Sequence, residues 1–321
     1  MKQTTISALV LGLLLATASA LAGGPRADEK TLDYRLQARA LAPGVYVVEG
    51  DNDDFSRANG CNIINTGFIV TGAGVVVVNT GPSRRYGEQL RALIARTTTE
   101  PVVEVIHLNL HPDYFLGNQA FADVPRRATT ATREGMAREG KAYEDNLYRL
   151  CGDWMKGTEV LLPDAPVAAG TWRVGAREFE LIELAGHTDS DLVLVDRASG
   201  VAFVGGLVFV DRIPTTPHAR IDRWLASLDA LPAARWRTLV PSHGPVRDDA
   251  LGVEQTRRYL TWLDQHLARA AAAGDDLTDV LAAPVPAEFR GWAAFGTEYL
   301  RNVTHLYPGH ERAVLQGGAS R

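Results

Sequence analysis

The sequence contains little cysteine, no excess of basic charge and, beyond its first residues, no long apolar run. Two cysteines in 321 residues are too few for a disulfide-dense scaffold or for a zinc site made of cysteines alone. A net charge of −5 provides no basic field to neutralise phosphates, which excludes non-specific nucleic-acid binding as an expected function. With 46% hydrophobic and 22% charged residues, the composition is that of a globular protein and not of a disordered one.

The first 22 residues have the pattern of a secretory signal peptide. Lys2 provides a basic start, residues 6–16 are mostly apolar, and the small residues at 18–22 fit the signal-peptidase pattern. The alternative is an uncleaved anchor. Because no later segment has 18 uninterrupted apolar residues, we expect a soluble chain without membrane insertion after cleavage, periplasmic or secreted. Residues 23–40 are polar and mixed, which predicts a loosely packed lead-in segment.

Export would permit a disulfide bond, for which Cys61 and Cys151 are the only candidates. One bond across a 90-residue separation would stabilise the fold. The alternative is two small, buried hydrophobic side chains. Neither cysteine has the sequence neighbours of a catalytic nucleophile.

Apolar patterning predicts two β-rich blocks, each followed by helices. Strands are expected at 45–49, 62–70, 75–78, 102–108, 171–184, 191–196, 201–210 and 237–240. Helices are expected from the N-cap Ser83 to about residue 96, and at 128–156, 221–231, 250–273 and 276–305, the last with a break at 284–286. Because no long Gly/Ser/Pro linker divides the chain, we predict one α/β domain at 41–250. Residues 251–321 would be a helical C-terminal extension packed on the same domain.

Three predicted buried strands are each followed by a polar turn that contains a histidine: His111, His187 and His243. Such turns at strand ends are where sites form in α/β folds. Imidazole and carboxylate groups from separate loops can converge on one divalent metal such as zinc, which makes its bound water a nucleophile near neutral pH. We therefore predict His111, Asp113, His187 and His243 as metal ligands. The alternative is structural: a turn-forming Asp after proline, and capping or strand-end histidines.

The order of the short motifs resembles the metallo-β-lactamase superfamily. The motifs are Asn79-Thr80-Gly81, Asn109-x-His111-x-Asp113-Tyr114, Gly186-His187-Thr188, Gly205-Gly206-Leu207 and Ser242-His243-Gly244. The flanking segments 45–49, 65–70, 81–83, 116–121 and 214–218 resemble more narrowly the quinoprotein relay system zinc metallohydrolases. The resemblance covers about residues 40–250 and implies an αββα metallo-β-lactamase-like sandwich. It also implies export and a link to a quinoprotein (quinone-cofactor alcohol dehydrogenase) system.

This chain departs from the superfamily pattern at the metal ligands. The superfamily motif His-x-His-x-Asp-His has Asn109 and Tyr114 at its first and last positions here, and the acid that ends the early strand is Asn79. The bridging Asp is replaced by Gly206. The resemblance therefore implies that one metal position keeps His111 and His187. The other keeps Asp113 and His243. One subclass of metallo-β-lactamases also has Asn-x-His-x-Asp and resembles a one-zinc enzyme, so we expect one zinc ion rather than two, or none.

Two functions follow from these residues. The first is an exported hydrolase in which metal-activated water attacks an ester, thioester or amide-type carbonyl, with Asp113 as catalytic proton acceptor. The second is a catalytically degenerate binding or accessory protein of the same fold. In either case Asn109, Tyr114 and His218 are predicted to line the pocket for a small-molecule substrate or ligand.

Three further predictions concern residues near these motifs and in the tail. His107 is expected to be structural, and Asp211 is a candidate to replace the carboxylate lost at position 206. His266, His305 and His310 are expected at the surface or in packing positions.

Overall fold

Two mixed β-sheets with flanking helices form the structure, a computed structural model that describes residues 27–231 and 235–318. The predicted signal peptide at 1–22 lies outside the described residues. Within the described ranges, no helix is long and apolar enough to span a membrane.

The first sheet has seven strands in chain order, antiparallel from β1 to β4 and parallel from β4 to β7. Its strands are β1 Arg39–Ala42, β2 Val45–Val48, β3 Thr66–Val70, β4 Val75–Val78, β5 Val102–Ile106, β6 Arg126–Ala128 and β7 Ala165–Pro166. The second sheet has the order β12-β11-β10-β9-β8, with a parallel pair only between β11 and β12. Its strands are β8 Gly170–Val174, β9 Arg177–Leu184, β10 Asp191–Asp196, β11 Val201–Phe203 and β12 Thr238–Val240.

Strand β4 shows why the sandwich has this layering. All four valines are buried, because the strand is covered on both faces. Val76 and Val78 pack in the core between the two sheets, together with Phe179 of β9. The alternate residues Val75 and Val77 belong to the core under the helices of the first sheet.

Helices cover the outer face of each sheet. They are α1 Arg84–Thr97, α2 Pro112–Phe115, α3 Thr130–Cys151, α4 Ile221–Ala230, α5 Leu251–Ala273, α6 Leu277–Ala282, α7 Ala287–Arg290 and α8 Phe295–Gly318. Helices α1 and α3 pack on the first sheet, and α4, α5 and α8 pack on the second. Helix α1 begins after Ser83, whose Oγ accepts a hydrogen bond from the Tyr86 backbone N–H at 3.0 Å, as predicted for an N-cap. The arrangement is the predicted αββα sandwich.

Several predicted strands are shorter in the structure, the strand predicted at 171–184 is two strands, β8 and β9, and two further predictions differ most. The strand predicted at 62–70 begins only at Thr66, because Asn65 instead binds the distant backbone oxygens of Pro241 and Gly244. The strand predicted at 201–210 ends at Phe203. Gly205 has a left-handed φ of +53°, which ends the extended conformation and starts a short 3-10 turn. The segment predicted as 276–305 consists of three helices, α6, α7 and α8.

Cys61 and Cys151 form a disulfide bond with their Cα atoms 6.0 Å apart. The bond joins the loop between β2 and β3 to the C-terminal end of α3. The alternative of two free, buried cysteines is therefore wrong.

Candidate functional site

The four predicted ligands lie at strand ends that meet in space. His111 and Asp113 follow β5, His187 lies between β9 and β10, and His243 follows β12. Pro112 starts the short helix α2 directly after His111, which orients this turn. The four side chains are buried and form two pairs: His187 with His111, and His243 with Asp113.

Both ring nitrogens of His111 face other histidines. Its Nδ1 lies 3.0 Å from Nε2 of His187, and its Nε2 lies 3.1 Å from Nδ1 of His218. Because a neutral imidazole donates through one nitrogen and accepts through the other, the three rings form a hydrogen-bonded chain. Burial lowers the pKa of each of the three rings below the ordinary histidine value, which favours the neutral form that such a chain needs.

Asp113 and His243 form the second pair. The Nδ1–H of His243 donates to the backbone oxygen of Ile63 at 2.7 Å, and its Nε2 lies 3.6 Å from Oδ2 of Asp113. Burial raises the pKa of Asp113 to about 7 and lowers the pKa of His243 well below its ordinary value. Burial thus disfavours charge on both partners.

These donor atoms do not fit the metal centre that the sequence resemblance implies. Zinc needs three or four donors directed at one point, about 2.0–2.2 Å away for nitrogen or oxygen. His111 instead directs its two nitrogens at two different rings, and the Asn109 Oδ1 accepts the His111 backbone N–H at 3.0 Å. In the part of the chain that the structure describes, no three His, Cys, Asp or Glu side chains are grouped to hold a metal ion.

At Gly206, where the motif resemblance implies a bridging Asp, a neighbouring ring fills the space. A Cβ atom added at Gly206 would overlap Cδ2 of His187 and lie 2.5 Å from its Nε2. It would also lie 2.7 Å from Nδ2 of Asn109. The packing at this position therefore leaves no room for any side chain, let alone for a metal-binding carboxylate.

Three other polar residues near the strand ends have structural contacts. Asn79 has a left-handed φ of 60°, and its Oδ1 accepts the Leu108 backbone N–H at 3.1 Å, which fixes the ends of β4 and β5 to each other. The Nδ1–H of His107 donates to the backbone oxygen of Tyr114 at 3.1 Å, in agreement with a structural role. Asp211 is exposed and accepts a hydrogen bond from Gln255 at 2.8 Å, so it does not replace the carboxylate lost at position 206.

A cavity of about 310 Å³ lies beside the Asp113–His243 pair. Its walls come from six parts of the chain, and they are Phe55 and Ile63; His111, Pro112 and Asp113; Tyr143, Asn146, Arg149 and Leu150; Arg212, Thr215 and Pro217; His243; and Glu298, Arg301 and His305. Asn109, Tyr114 and His218, predicted for the pocket, are not among these lining residues. His218 follows the lining residue Pro217 and contacts the cavity wall through its hydrogen bond to His111.

The C-terminal extension contributes residues that the sequence pattern did not indicate. His305 was expected at the surface or in a packing position, but it lines the cavity with Glu298 and Arg301, one helical face of α8. His266 and His310 agree better with the expectation: His266 stacks on Trp262, and His310 lies 3.5 Å from Asp264.

Arg212 is a fully buried cation in the cavity wall. Its Nε donates to the Asp53 backbone oxygen at 3.0 Å and its Nη1 to the Ile213 oxygen at 3.2 Å. Its Nη2 lies 3.5 Å from Oε1 of Glu298 and makes no hydrogen bond to the described residues. Oε1 of Glu298 also accepts a hydrogen bond from Nη1 of Arg301 at 2.9 Å.

The two-sheet sandwich, with polar turns gathered where strands of both sheets end, defines an α/β fold of the metallo-β-lactamase type. A family model described as "Metallo-beta-lactamase superfamily" matches residues 59–243, more than half of the chain. The chain belongs to this superfamily, a hydrolase family whose members usually bind zinc.

Solved structures agree with the fold. A metallo-beta-lactamase from Pontibacter korlensis is 22% identical, with a TM-score of 0.57, and the match covers 70% of this chain and 99% of that one. The DIM-1 metallo-beta-lactamase is 20% identical, with a TM-score of 0.56 and coverage of 71% and 97%. A metallo-beta-lactamase from Hirschia baltica is 17% identical, with a TM-score of 0.55 and coverage of 70% and 97%. A comparison with curated protein sequences finds no match.

Proposed function

We propose that this chain binds a small molecule in the cavity beside Asp113 and His243 and does not carry out the zinc-dependent hydrolysis typical of its superfamily. The observation that carries the proposal is the histidine chain. Both nitrogens of His111 are engaged by other rings, and the ring of His187 fills the space at Gly206. A pocket with this donor set lacks the metal-binding geometry that zinc-dependent hydrolysis needs.

We further propose that the protein is exported and acts as an accessory component of a quinoprotein dehydrogenase system. Support for export comes from the signal-peptide pattern and from the Cys61–Cys151 bond, because disulfides persist in oxidising compartments. Support for the quinoprotein link comes from the segments around the motifs, above all 45–49 and 214–218.

Metal analysis tests the binding function. Untagged protein, purified without chelator and then incubated with zinc and desalted, should retain substoichiometric metal by mass spectrometry. Because a ligand that binds only the folded state raises stability, EDTA should leave the thermal midpoint unchanged. One zinc per chain, with a midpoint that falls after chelation, would contradict the proposal.

A second candidate function is hydrolysis of an ester, thioester or amide-type carbonyl. Superfamily membership favours it, as does the position of Asp113 in the cavity wall with a pKa raised by burial to about 7. A carboxylate with this pKa can take a proton from water near neutral pH. Turnover of an ester, thioester, lactone or β-lactam panel that Asp113→Asn abolishes, while the variant keeps the native thermal midpoint, would establish the enzyme.

A further inference from the structure

The cavity wall contains a buried cation with an unused hydrogen-bond donor. From it we infer that the ligand is a small carboxylate with an apolar body, whose carboxylate pairs with Arg212. This inference rests on the proposed binding function and specifies its ligand class.

Within the described residues, one nitrogen of the Arg212 guanidinium makes no hydrogen bond and has only a 3.5 Å ion pair with Glu298. Backbone oxygens of Asp53 and Ile213 hold Nε and Nη1 and so fix the plane of the group. The remaining nitrogen, Nη2, is buried and lies 3.5 Å from Glu298, beyond the usual N–H···O length. A guanidinium in a fixed plane is suited to a planar carboxylate, and a buried donor without a partner is costly.

The charges around the cavity also favour a single anion. Arg301 already has two acidic partners, Asp54 at 3.0 Å and Glu298 at 2.9 Å. Glu298 therefore divides its charge between Arg301 and Arg212. Arg149 is exposed and donates to Asn146 at 2.7 Å, and it has no carboxylate partner within residues 27–231 and 235–318. Among the described carboxylates, Glu298 alone lies within 4.0 Å of Arg212, and Asp54 and Asp113 act on it from farther away, so a ligand carboxylate would take the position beside Nη2.

The other walls determine the rest of the ligand. Phe55, Ile63, Leu150 and Pro217 are apolar, and Tyr143 adds an aromatic ring. The volume of about 310 Å³ lies at the lower end of the range for ligand pockets. The structure thus favours a compact aliphatic or aromatic acid over a nucleotide or a sugar.

Calorimetry with charged and neutral probes of the same shape tests the inference. Benzoate and hexanoate, each compared with its neutral amide, are titrated into the full-length mature protein with its disulfide intact. Each acid should bind roughly tenfold to a hundredfold more tightly than its amide, because a hydrogen-bonded ion pair is lost in the amide.

Three variants separate binding from folding. Arg212→Gln should weaken binding of the acids to the level of the amides. Glu298→Gln should tighten it several-fold, because the internal carboxylate no longer shares Arg212. Arg126→Met is the matched control: this side chain is also buried, 5% exposed, but lies outside the cavity, so affinity should not change. The opposite effects of the two cavity variants cannot both arise from poor folding.

The outcomes distinguish the two proposals. Tighter binding of the acids, strengthened by Glu298→Gln, supports the inference. Equal binding of acids and amides, or binding of amides alone, overturns the inference and leaves the binding function standing. Absence of binding by all four probes overturns the inference, and stoichiometric zinc in addition overturns the binding function as well.

Discussion

Replacing Gly206 with alanine tests whether the His187 ring has taken the place of a metal ligand. The added Cβ would overlap Cδ2 of His187 and lie within 2.7 Å of Asn109 Nδ2, and both side chains are buried. Overpacking costs about 1–3 kcal/mol, and contact with two confined side chains puts this position in the upper half of that range. Reduced freedom of the unfolded chain returns about 0.4–1 kcal/mol. We expect a net loss of about 2 kcal/mol in the free energy of unfolding.

Urea unfolding, followed by tryptophan fluorescence with the disulfide intact, measures this loss. The comparison requires that the m-value is the same for the variant and the native protein. Gly296 is the matched control, because a Cβ added there meets nothing within 4 Å. Gly296→Ala should stabilise the protein by a few tenths of a kcal/mol up to about 1 kcal/mol, as alanine is the better helix former in α8.

A double-mutant cycle identifies the neighbour responsible. In the background of His187→Ala, the Gly206→Ala change should lose most of its cost, with a coupling of at least about 1 kcal/mol, while the contact with Asn109 remains. If Gly206→Ala proves as harmless as Gly296→Ala, the ring does not fill the space, and the argument against the metal centre fails with it.

Other substitutions test the disulfide bond, the buried Glu298 and the N-terminal cap of α1. Changing both Cys61 and Cys151 to serine should lower the free energy of unfolding by about 4 kcal/mol in urea, because the bond closes a loop of 90 residues; a loss below about 1 kcal/mol would contradict this. Burial raises the pKa of Glu298 above its ordinary value of 4.5, so the folded state keeps this proton to higher pH than the unfolded chain does. The stability that this group contributes is therefore lost as the pH rises above 4.5. The free energy of unfolding of Glu298→Gln, relative to that of the native protein, should increase with pH. A difference that stays constant with pH would refute the shift. Ser83→Ala should cost about 1–2 kcal/mol by thermal unfolding, since Tyr86 N–H loses its cap.

The fold could be predicted because its signals are local. Four consecutive valines at 75–78 indicate a strand covered on both faces, and polar turns after such strands mark the edge where a site forms. His111, Asp113, His187 and His243 come together there as the motif order implied. The departures at Asn109 and Gly206 were visible in the sequence as well.

The hydrogen bonds between the histidine rings could not be predicted, because the orientation of each ring depends on tertiary packing. Nothing in the sequence indicates that Nε2 of His111 faces His218, 107 residues further along the chain. The same holds for Arg212 and Glu298, which are 86 residues apart and meet only because α8 packs on the second sheet. Helical periodicity identifies the apolar face of α8, but the polar positions that close a cavity follow from how the helix docks.

The disulfide bond joins two segments that each contribute residues to the cavity. Cys61 is two residues from Ile63, and Cys151 follows Leu150, so the bond links the β2–β3 loop to α3 close in sequence to two lining residues. Ile63 also accepts the hydrogen bond that orients His243. For the exported binding protein that we propose, ligand affinity should therefore depend on thiol oxidation, because reduction of the bond would release the loop that carries Ile63 from α3.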